Sequence, residues 1–343
     1  VSAPSGVVRD TLERPLHDLR ISVTDRCNFR CVYCMPREKF GADHSYLPRS
    51  DLLTFDEIAR VARVGGRLGI RKIRLTGGEP LLRAGIADLI AELRINPDLD
   101  IAMTTNGALL GAHAVSLKAA GLDRVTVSLD SINPVVFEQM SDTRIPLSRV
   151  LAGIAAAAEA GLGPVKLNAV VRREINGGHD HLLALADHFR GTDTTVRFIE
   201  YMDVGTTNGW NLGEVVPARI IVDTISAVFP LALVPPRYPG EVAARYRYRD
   251  GMGEIGVISS VTNPFCRSCT RARLSADGQV HTCLFSSGGF DLRSHLRSGA
   301  SDLELEAILR RLWLGRKDRY SELRSAATDS VTTNKIEMSY IGG

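Results

Sequence analysis

The chain has 343 residues, 44% of them hydrophobic and 24% charged, an ordinary globular balance that excludes a mostly disordered polymer. Its 42 Lys and Arg stand against 39 Asp and Glu, a net +3 that is too even for a general nucleic-acid coat but leaves room for a local basic site. The longest apolar run, 150–158, is too short to span a bilayer, and the first 20 residues are too charged for a signal-peptide core. A soluble, cytoplasmic protein with no membrane and no nucleic-acid partner is therefore expected.

From residue 18 to about 203 the chain alternates β-branched runs with helical periodicity. Strands are expected at 19–24, 72–76, 101–105, 124–129, 165–171 and 195–199, and helices at 54–68, 85–93, 111–120, 149–160 and 180–189. Thr54 and Glu57 have the spacing of a capping box, and Gly121 and Gly161 stand where helix C-caps belong. Six strand–helix units require a parallel sheet, because parallel neighbours need a crossover. The expected fold class is α/β, a partial (β/α)6 TIM-like barrel; a doubly wound open sheet is the competitor, since spacing alone does not set strand order.

A helix at 217–228 should close this region, and 231–240, with three prolines and a glycine, reads as an irregular boundary. Short strands at 246–249, 255–259, 272–274 and 280–283 and a helix at 303–314 then form a small C-terminal α+β region. Two domains are expected, 1–230 and 231–343.

Parallel β/α sheets bind ligands at the carboxyl ends of their strands. Here those ends carry Thr24-Asp25-Arg26-Cys27, Thr76-Gly77-Gly78-Glu79-Pro80, Thr104-Thr105-Asn106-Gly107, Ser128-Leu129-Asp130 and Glu200-Tyr201-Met202-Asp203. Turn chemistry explains any one of them; five together indicate one composite site.

Cys27, Cys31 and Cys34 follow the first strand with spacing C-x3-C-x2-C. Three thiolates so close can wrap one soft-metal centre. A structural zinc site closes four ligands, and no fourth Cys or His lies nearby. An iron–sulfur cube held by three cysteines keeps one iron open. Zinc completed from afar, or three unligated thiols, are the alternatives. With C-x3-C-x-Y-C, Met35-Pro36 and the GGEP run, the chain resembles the radical S-adenosylmethionine enzymes. That resemblance implies that the open iron chelates S-adenosylmethionine. Gly77 and Gly78, lacking side chains, would let backbone approach it.

Cys266, Cys269 and Cys283 form a second set of three around Arg271 and Arg273, which share one face of a strand. The even three-and-three split suits thiolate ligands, although disulfides across the groups would also satisfy parity. Two guanidiniums beside a soft-metal centre make a polyanion receptor, triphosphate being the natural candidate; a solvated edge strand is the plain alternative. Arg20, Arg74, Lys166 and Arg197 lie within or beside strands, where charges are unusual unless they face a wet lumen. His281 at the next strand is equally a ligand or a turn histidine.

Over nearly its whole length the sequence is similar to the GTP 3',8-cyclase family of molybdenum cofactor biosynthesis. The similarity runs from Leu19–Cys27 through GGEP and C-x2-C-x13-C to the Gly-Gly end. It implies two 4Fe-4S clusters, each held by three Cys: Cys27, Cys31 and Cys34, then Cys266, Cys269 and Cys283. It further implies S-adenosylmethionine binding by Tyr33, Gly77, Gly78, Glu79, Ser128 and Met202, and GTP binding by Arg20, Arg74, Thr104 (or the adjacent Thr105), Lys166, Arg271 and Arg273. An external electron donor, a homodimer, and transfer of product to the cyclic pyranopterin monophosphate synthase follow from the same resemblance. The tail through Gly342 and Gly343 would, on this reading, insert beside Arg20 and Arg271 and act with Arg273 in catalysis; a frayed end is the ordinary state of a terminus. A peptide-modifying radical enzyme with an auxiliary cluster, an electron carrier, and a zinc-stabilised nucleic-acid binder are the competing functions.

Overall fold

Each of the six expected strands forms, and the alternation of its residues decides which side each one faces. The computed structural model describes residues 6–238, 240–324 and 335–342. Strands β1 (Asp18–Ser22), β2 (Lys72–Thr76), β3 (Asp100–Thr105), β4 (Arg124–Ser128), β5 (Lys166–Val171) and β6 (Thr195–Glu200) pair in chain order, all parallel. Leu19, Ile21, Ile73, Leu75, Ile101, Val125 and Leu167 enter one continuous core with the crossover helices. Their neighbours Arg20, Arg74, Thr104, Ser128, Asn168 and Arg197 are half-buried on the opposite face.

The helices are Phe55–Arg67, Ile86–Leu93, Leu110–Ala119, Leu147–Glu159 and His179–Phe189, as their periodicity requires, with an additional one at Pro134–Ser141. Thr54 accepts from the Glu57 backbone N–H at 3.1 Å while Glu57 accepts from that of Thr54 at 2.7 Å, so the capping box is complete. Among the described residues the strand order never reverses along β1 to β6, which removes the doubly wound alternative and its crevice at a switch point.

The C-terminal region supplies β7 (Leu231–Val234), β8 (Ala244–Tyr248), β9 (Glu254–Ile258), β10 (Arg271–Leu274), β11 (Gln279–His281) and β12 (Phe290–Asp291). The stretch 231–240 is thus not irregular throughout: its first four residues pair with β8, and Pro235 and Pro236 end that edge strand. β9 joins β6 and β10 joins β1, both parallel. One sheet, ordered β12-β11-β10-β1-β2-β3-β4-β5-β6-β9-β8-β7, therefore contains eight parallel strands, and it runs without a break across residue 230. Residues from all eight line a single cavity, so the sheet curls around it as a partial barrel.

The path between β9 and β10 places the second cysteine group. β9 ends at Ile258, level with Ile199 near the carboxyl end of β6, whereas β10 begins at Arg271, opposite Asp18 at the start of β1. Residues 259–270 consequently descend the open side of the barrel from top to bottom. Glu200 anchors the top of that descent. Fully buried, its carboxylate accepts from the backbone N–H groups of Ala218, Val261 and Thr262 at 2.7, 2.8 and 2.9 Å, and from the Thr262 hydroxyl. Glu200→Ala removes the shared acceptor of three part-buried N–H donors and should cost about 3 kcal/mol of stability. A denaturant midpoint equal to that of the wild type would count against this anchor.

Candidate active site

The lumen is a cavity of about 260 Å³ open at one side of the barrel. Cys27, Cys31 and Cys34 lie on the loop leaving the top of β1, and all three line this cavity. Cys266 and Cys269 lie toward the end of the descending segment, and Cys283 follows β11, which runs antiparallel to β10 and so returns to the bottom. These three line the same cavity. The sulfur groups thus occupy opposite ends of one lumen.

All six cysteines are free, which removes the disulfide alternative. Among the described residues no three His, Cys, Asp or Glu side chains gather closely enough to hold a single ion. Six thiols opening three and three onto a shared space fit the three-thiolate donor set of an iron–sulfur cube at either end.

The two ends differ at Cys269, while burial pushes Cys283 of the lower group up to about 11 as it raises the upper three. Burial, reinforced by the Glu79 carboxylate, pushes the Cys27 thiol up to about 11, and burial with Asp130 holds Cys31 well above its ordinary value. Cys34 is raised mainly by burial. At the other end burial also opposes ionisation of Cys269, but Arg271 and Arg316 outweigh it and bring that thiol down to about 6. Their guanidinium N–H groups donate to the Cys269 Sγ at 3.2 and 3.3 Å.

The GGEP run packs edge-on against the first cysteine loop. The Gly78 N–H donates to the Thr24 carbonyl at 2.7 Å and the Glu79 N–H to that of Arg26 at 2.8 Å. A Cβ on Gly77 or Gly78 would collide with those same carbonyls. Loop-to-loop contact thus requires both glycines whatever lies above them. Glu79 does not reach the cavity: buried, it accepts from Thr105 Oγ1 at 2.7 Å, the Asn106 N–H at 2.7 Å and the Leu81 N–H at 3.1 Å. Burial raises its carboxyl to about 7. It ties the β2 and β3 loops together rather than facing a ligand, which corrects its expected place in the cofactor site.

Tyr33, Gly77, Gly78, Ser128 and Met202 do line the upper lumen. The Tyr33 hydroxyl donates to Asp130 Oδ2 at 3.0 Å, and Asp130 accepts also from the Val170 N–H at 2.8 Å. Both candidate threonines line the cavity: Thr104 is half-buried and accepts from Arg74 at 3.0 Å, whereas Thr105 is buried and donates to Glu79.

Arg20, Arg74, Arg197, Arg271 and Arg273 line the lumen, and none of these five forms an ion pair among the described residues. Register explains their convergence: Arg20 lies between Arg74 on β2 and Arg273 on β10. Burial, then Arg273, Arg271 and Arg74, pushes the Arg20 guanidinium well below its ordinary value. Burial and Arg74 bring Arg197 to about 9. Lys166 is not brought to the cavity wall; at the start of β5, burial and then Arg197, Arg124, Lys72 and Arg74 bring it to about 7.

The tail is docked. Met338–Ile341 forms one helical turn, Ile341 is fully buried, and Arg273 donates to the carbonyls of Ile341 and Gly342. Gly342 has φ +70°, and a Cβ there would strike Thr76 at the top of β2. Its hydrogen-bond partner is thus Arg273, while the turn itself packs against β1, the strand that carries Arg20; Gly343 lies outside the described residues. His281 is buried, with Nδ1 3.1 Å from the Gly288 carbonyl.

Sequence reasoning missed Thr126, whose hydroxyl accepts from Arg74 and Arg197 at 3.1 and 3.3 Å. It also missed Asp10, Arg14 and Arg316 around the second cysteine group. Thr126 had the lumen-facing parity of β4 as its signal. The other three lie outside any strand and had none.

The description "Radical SAM superfamily" matches residues 21–186 and "Molybdenum Cofactor Synthesis C" matches 194–322. The chain is 55% identical to the GTP 3',8-cyclase of Acidothermus cellulolyticus, over 98% of this chain and 99% of that one. It is 46% identical to the GTP 3',8-cyclase of Staphylococcus epidermidis over the same shares. Among solved structures, Streptococcus suis SuiB bound to S-adenosylmethionine superposes with a TM-score of 0.60 at 16% identity, covering 94% of this chain and 72% of that one, a likeness of fold alone. With relatives this similar along the full length, the chain belongs to the GTP 3',8-cyclase family of radical S-adenosylmethionine enzymes.

Proposed function

We propose that this chain converts GTP to (8S)-3',8-cyclo-7,8-dihydroguanosine 5'-triphosphate, a step of molybdenum cofactor biosynthesis, in the lumen between its two cysteine groups. Cys27, Cys31 and Cys34 would hold one 4Fe-4S cluster and Cys266, Cys269 and Cys283 the other. When bound, the first centre supplies one-electron reductive cleavage of S-adenosylmethionine, the source of the radical that takes the ribose 3' hydrogen. An external donor supplies one electron for that cleavage and a second, taken up with a proton, that completes the 7,8-dihydro product.

The chain's own part is to hold both small molecules in register. Tyr33, Gly77, Gly78, Ser128 and Met202 shape the upper lumen for S-adenosylmethionine. Arg20, Arg74, Arg197, Arg271 and Arg273 receive the triphosphate, with Thr104 and Thr126 fixing the Arg74 fork. The tail, held by Arg273, covers the top rim and excludes water from the reacting ribose. The single observation that carries this reading is the set of five lumen guanidiniums that form no ion pair among the described residues. Buried cations are costly alone, and a polyanion relieves that cost. A peptide substrate would not need them, which sets aside the peptide-modifying alternative. Transfer of product to the cyclic pyranopterin monophosphate synthase and assembly as a homodimer belong to the same proposal.

Anaerobic incubation of reconstituted protein with S-adenosylmethionine and reductant tests it directly. 5'-Deoxyadenosine should accumulate with GTP and fall to background without it; GTP-independent release would sink the assignment. Deleting Gly342 and Gly343 removes a carbonyl that Arg273 holds and should lower cyclisation about 100-fold, the scale of an ångström's misplacement. Iron content should stay unchanged; wild-type turnover would show the tail to be a bystander.

Lys166 stands back from the cavity wall, so it would act on the triphosphate through its charge, and this predicts a pH dependence. Its ammonium persists below its pKa of about 7 and is lost above it, so its attraction for triphosphate is present at low pH and fades as pH rises. Calorimetric GTP affinities of wild type and Lys166→Met should differ most near about pH 6 and converge toward about pH 8. A difference independent of pH would show that the Lys166 charge does not act on GTP.

A further inference from the structure

The second cysteine group is enclosed by a buried ionic network that the reaction described above does not use. Asp10, Arg14 and Arg316 are 4%, 2% and 4% exposed. Asp10 Oδ2 accepts from Arg14 Nε at 2.6 Å and from Arg316 Nη1 at 3.2 Å, while its Oδ1 takes the Leu12 and Arg14 backbone N–H groups. Each arginine then grips the cysteine backbone. Arg14 Nη1 donates to the Cys266 carbonyl at 2.8 Å; Arg316 donates to the Cys269 carbonyl at 2.7 Å and, through Nε, to that of Thr282, next to Cys283, at 3.0 Å. Trp313 packs under the Arg316 guanidinium at 4.5 Å.

Two donors in this network stand on residues that line the cavity. Arg316 Nη2 lies 3.3 Å from the Cys269 sulfur. Arg14 lines the cavity, and its Nη2 is buried with no partner. An orphaned buried guanidinium N–H facing a cavity requires an acceptor there. The carboxylate Asp318, 3.5 Å from Arg316 Nε, is occupied by the Thr282 hydroxyl at 2.6 Å. Among the described residues the donors to sulfur at the first cysteine group are the neutral Phe29 N–H, 3.4 Å from Cys27, and the Asn106 amide at 3.9 Å; the second group has one of this kind, the Phe285 N–H on Cys283 at 3.5 Å, beside its guanidiniums.

Hydrogen bonds and positive charge at the sulfurs of an iron–sulfur cluster favour its reduced, more negative state. We propose that Arg14 and Arg316, clamped by Asp10, are positioning residues of the second centre that donate toward its sulfur and hold its reduction potential above that of the first. This rests on the reading that each cysteine group carries a cluster. No step of the reaction is assigned to the network; it sets where an electron rests between the two centres.

The test is a potentiometric EPR titration of the anaerobically purified holoenzyme, with a variant lacking Cys27, Cys31 and Cys34 identifying the second signal. The second midpoint should lie above the first. Arg316→Lys, which keeps the charge but loses the fork on Cys269, should shift the second midpoint downward and leave the first in place. Arg14→Gln should do the same without touching any bond to Cys269, and it decides the matter if Arg316→Lys fails to retain the cluster; Arg14→Lys should recover most of its shift. Unmoved second midpoints at full iron content, or equal shifts of both centres, would overturn the positioning role alone. About four irons per chain in the wild type instead of about eight would overturn the two-cluster reading and this role with it.

Discussion

Five guanidiniums line one cavity and none of them forms an ion pair among the described residues, and the architecture is organised around that imbalance. Buried like charges repel, and removal from water penalises each one again. Arg20 shows the consequence most clearly, since burial and three neighbouring arginines together weaken its hold on a proton. A protein tolerates such a cluster when the ligand brings the missing charge. The overall net charge of +3 hides it, because the acidic residues are spent elsewhere: Asp302 near Arg60, Arg63 and Arg67, or Glu254 beneath Arg237, Arg245 and Arg247.

Parallel register makes the cluster possible. In a parallel sheet residues level with one another repeat from strand to strand, so one cation placed every second residue on adjacent strands yields a row. Arg273, Arg20 and Arg74 are such a row across β10, β1 and β2. Extending the sheet with β9 on one side and β10 on the other closes the lumen without closing the barrel. The segment that crosses the open side is the one that carries Cys266 and Cys269. Glu200 at the top and the Thr270 carbonyl at the bottom, which accepts from the His17 and Asp18 N–H groups, fix its two ends.

Much of this was legible before any coordinates. The period-two alternation in 19–24, 72–76 and 165–171 reports both the strands and which residues face inward, because an outward arginine on those strands would enter an apolar helix layer. The cysteine spacings report two compact ligand sets. Strand order was not legible, since spacing is silent about which edge a late strand joins; β9 and β10 settle on opposite edges of the sheet. Nor was Glu79: its neighbours in sequence mark a ligand-binding turn, yet its carboxylate points inward to Thr105 and Asn106. Sequence shows that a carboxylate sits at a strand end, not whether the next loop turns over it. Asp10, Arg14 and Arg316 were invisible for a further reason, as an ion pair between the chain's opening segment and the residues just past the Asp302–Leu314 helix leaves no local pattern.

Those same contacts bear on how the chain is divided. Trp313 Nε1 donates to the Arg14 carbonyl at 3.0 Å and the Arg316 carbonyl accepts from the Thr11 hydroxyl at 2.7 Å, so the opening segment is fastened to the C-terminal region around the lower cysteine group. At the upper rim the traffic is reversed. Glu337 of the tail takes the hydroxyls of Thr206 and Thr207 at 3.1 and 2.8 Å, and Tyr340 donates to Asp277 in the β10–β11 turn. Each end of the lumen is therefore finished by a segment from the other half of the sequence. A boundary near residue 230 marks a change in composition, but neither side of it holds a complete site. The arginines of β1 and β2 have their counterparts on β10, and an excised first half would retain one cysteine group while losing a wall of the cavity that receives the anion.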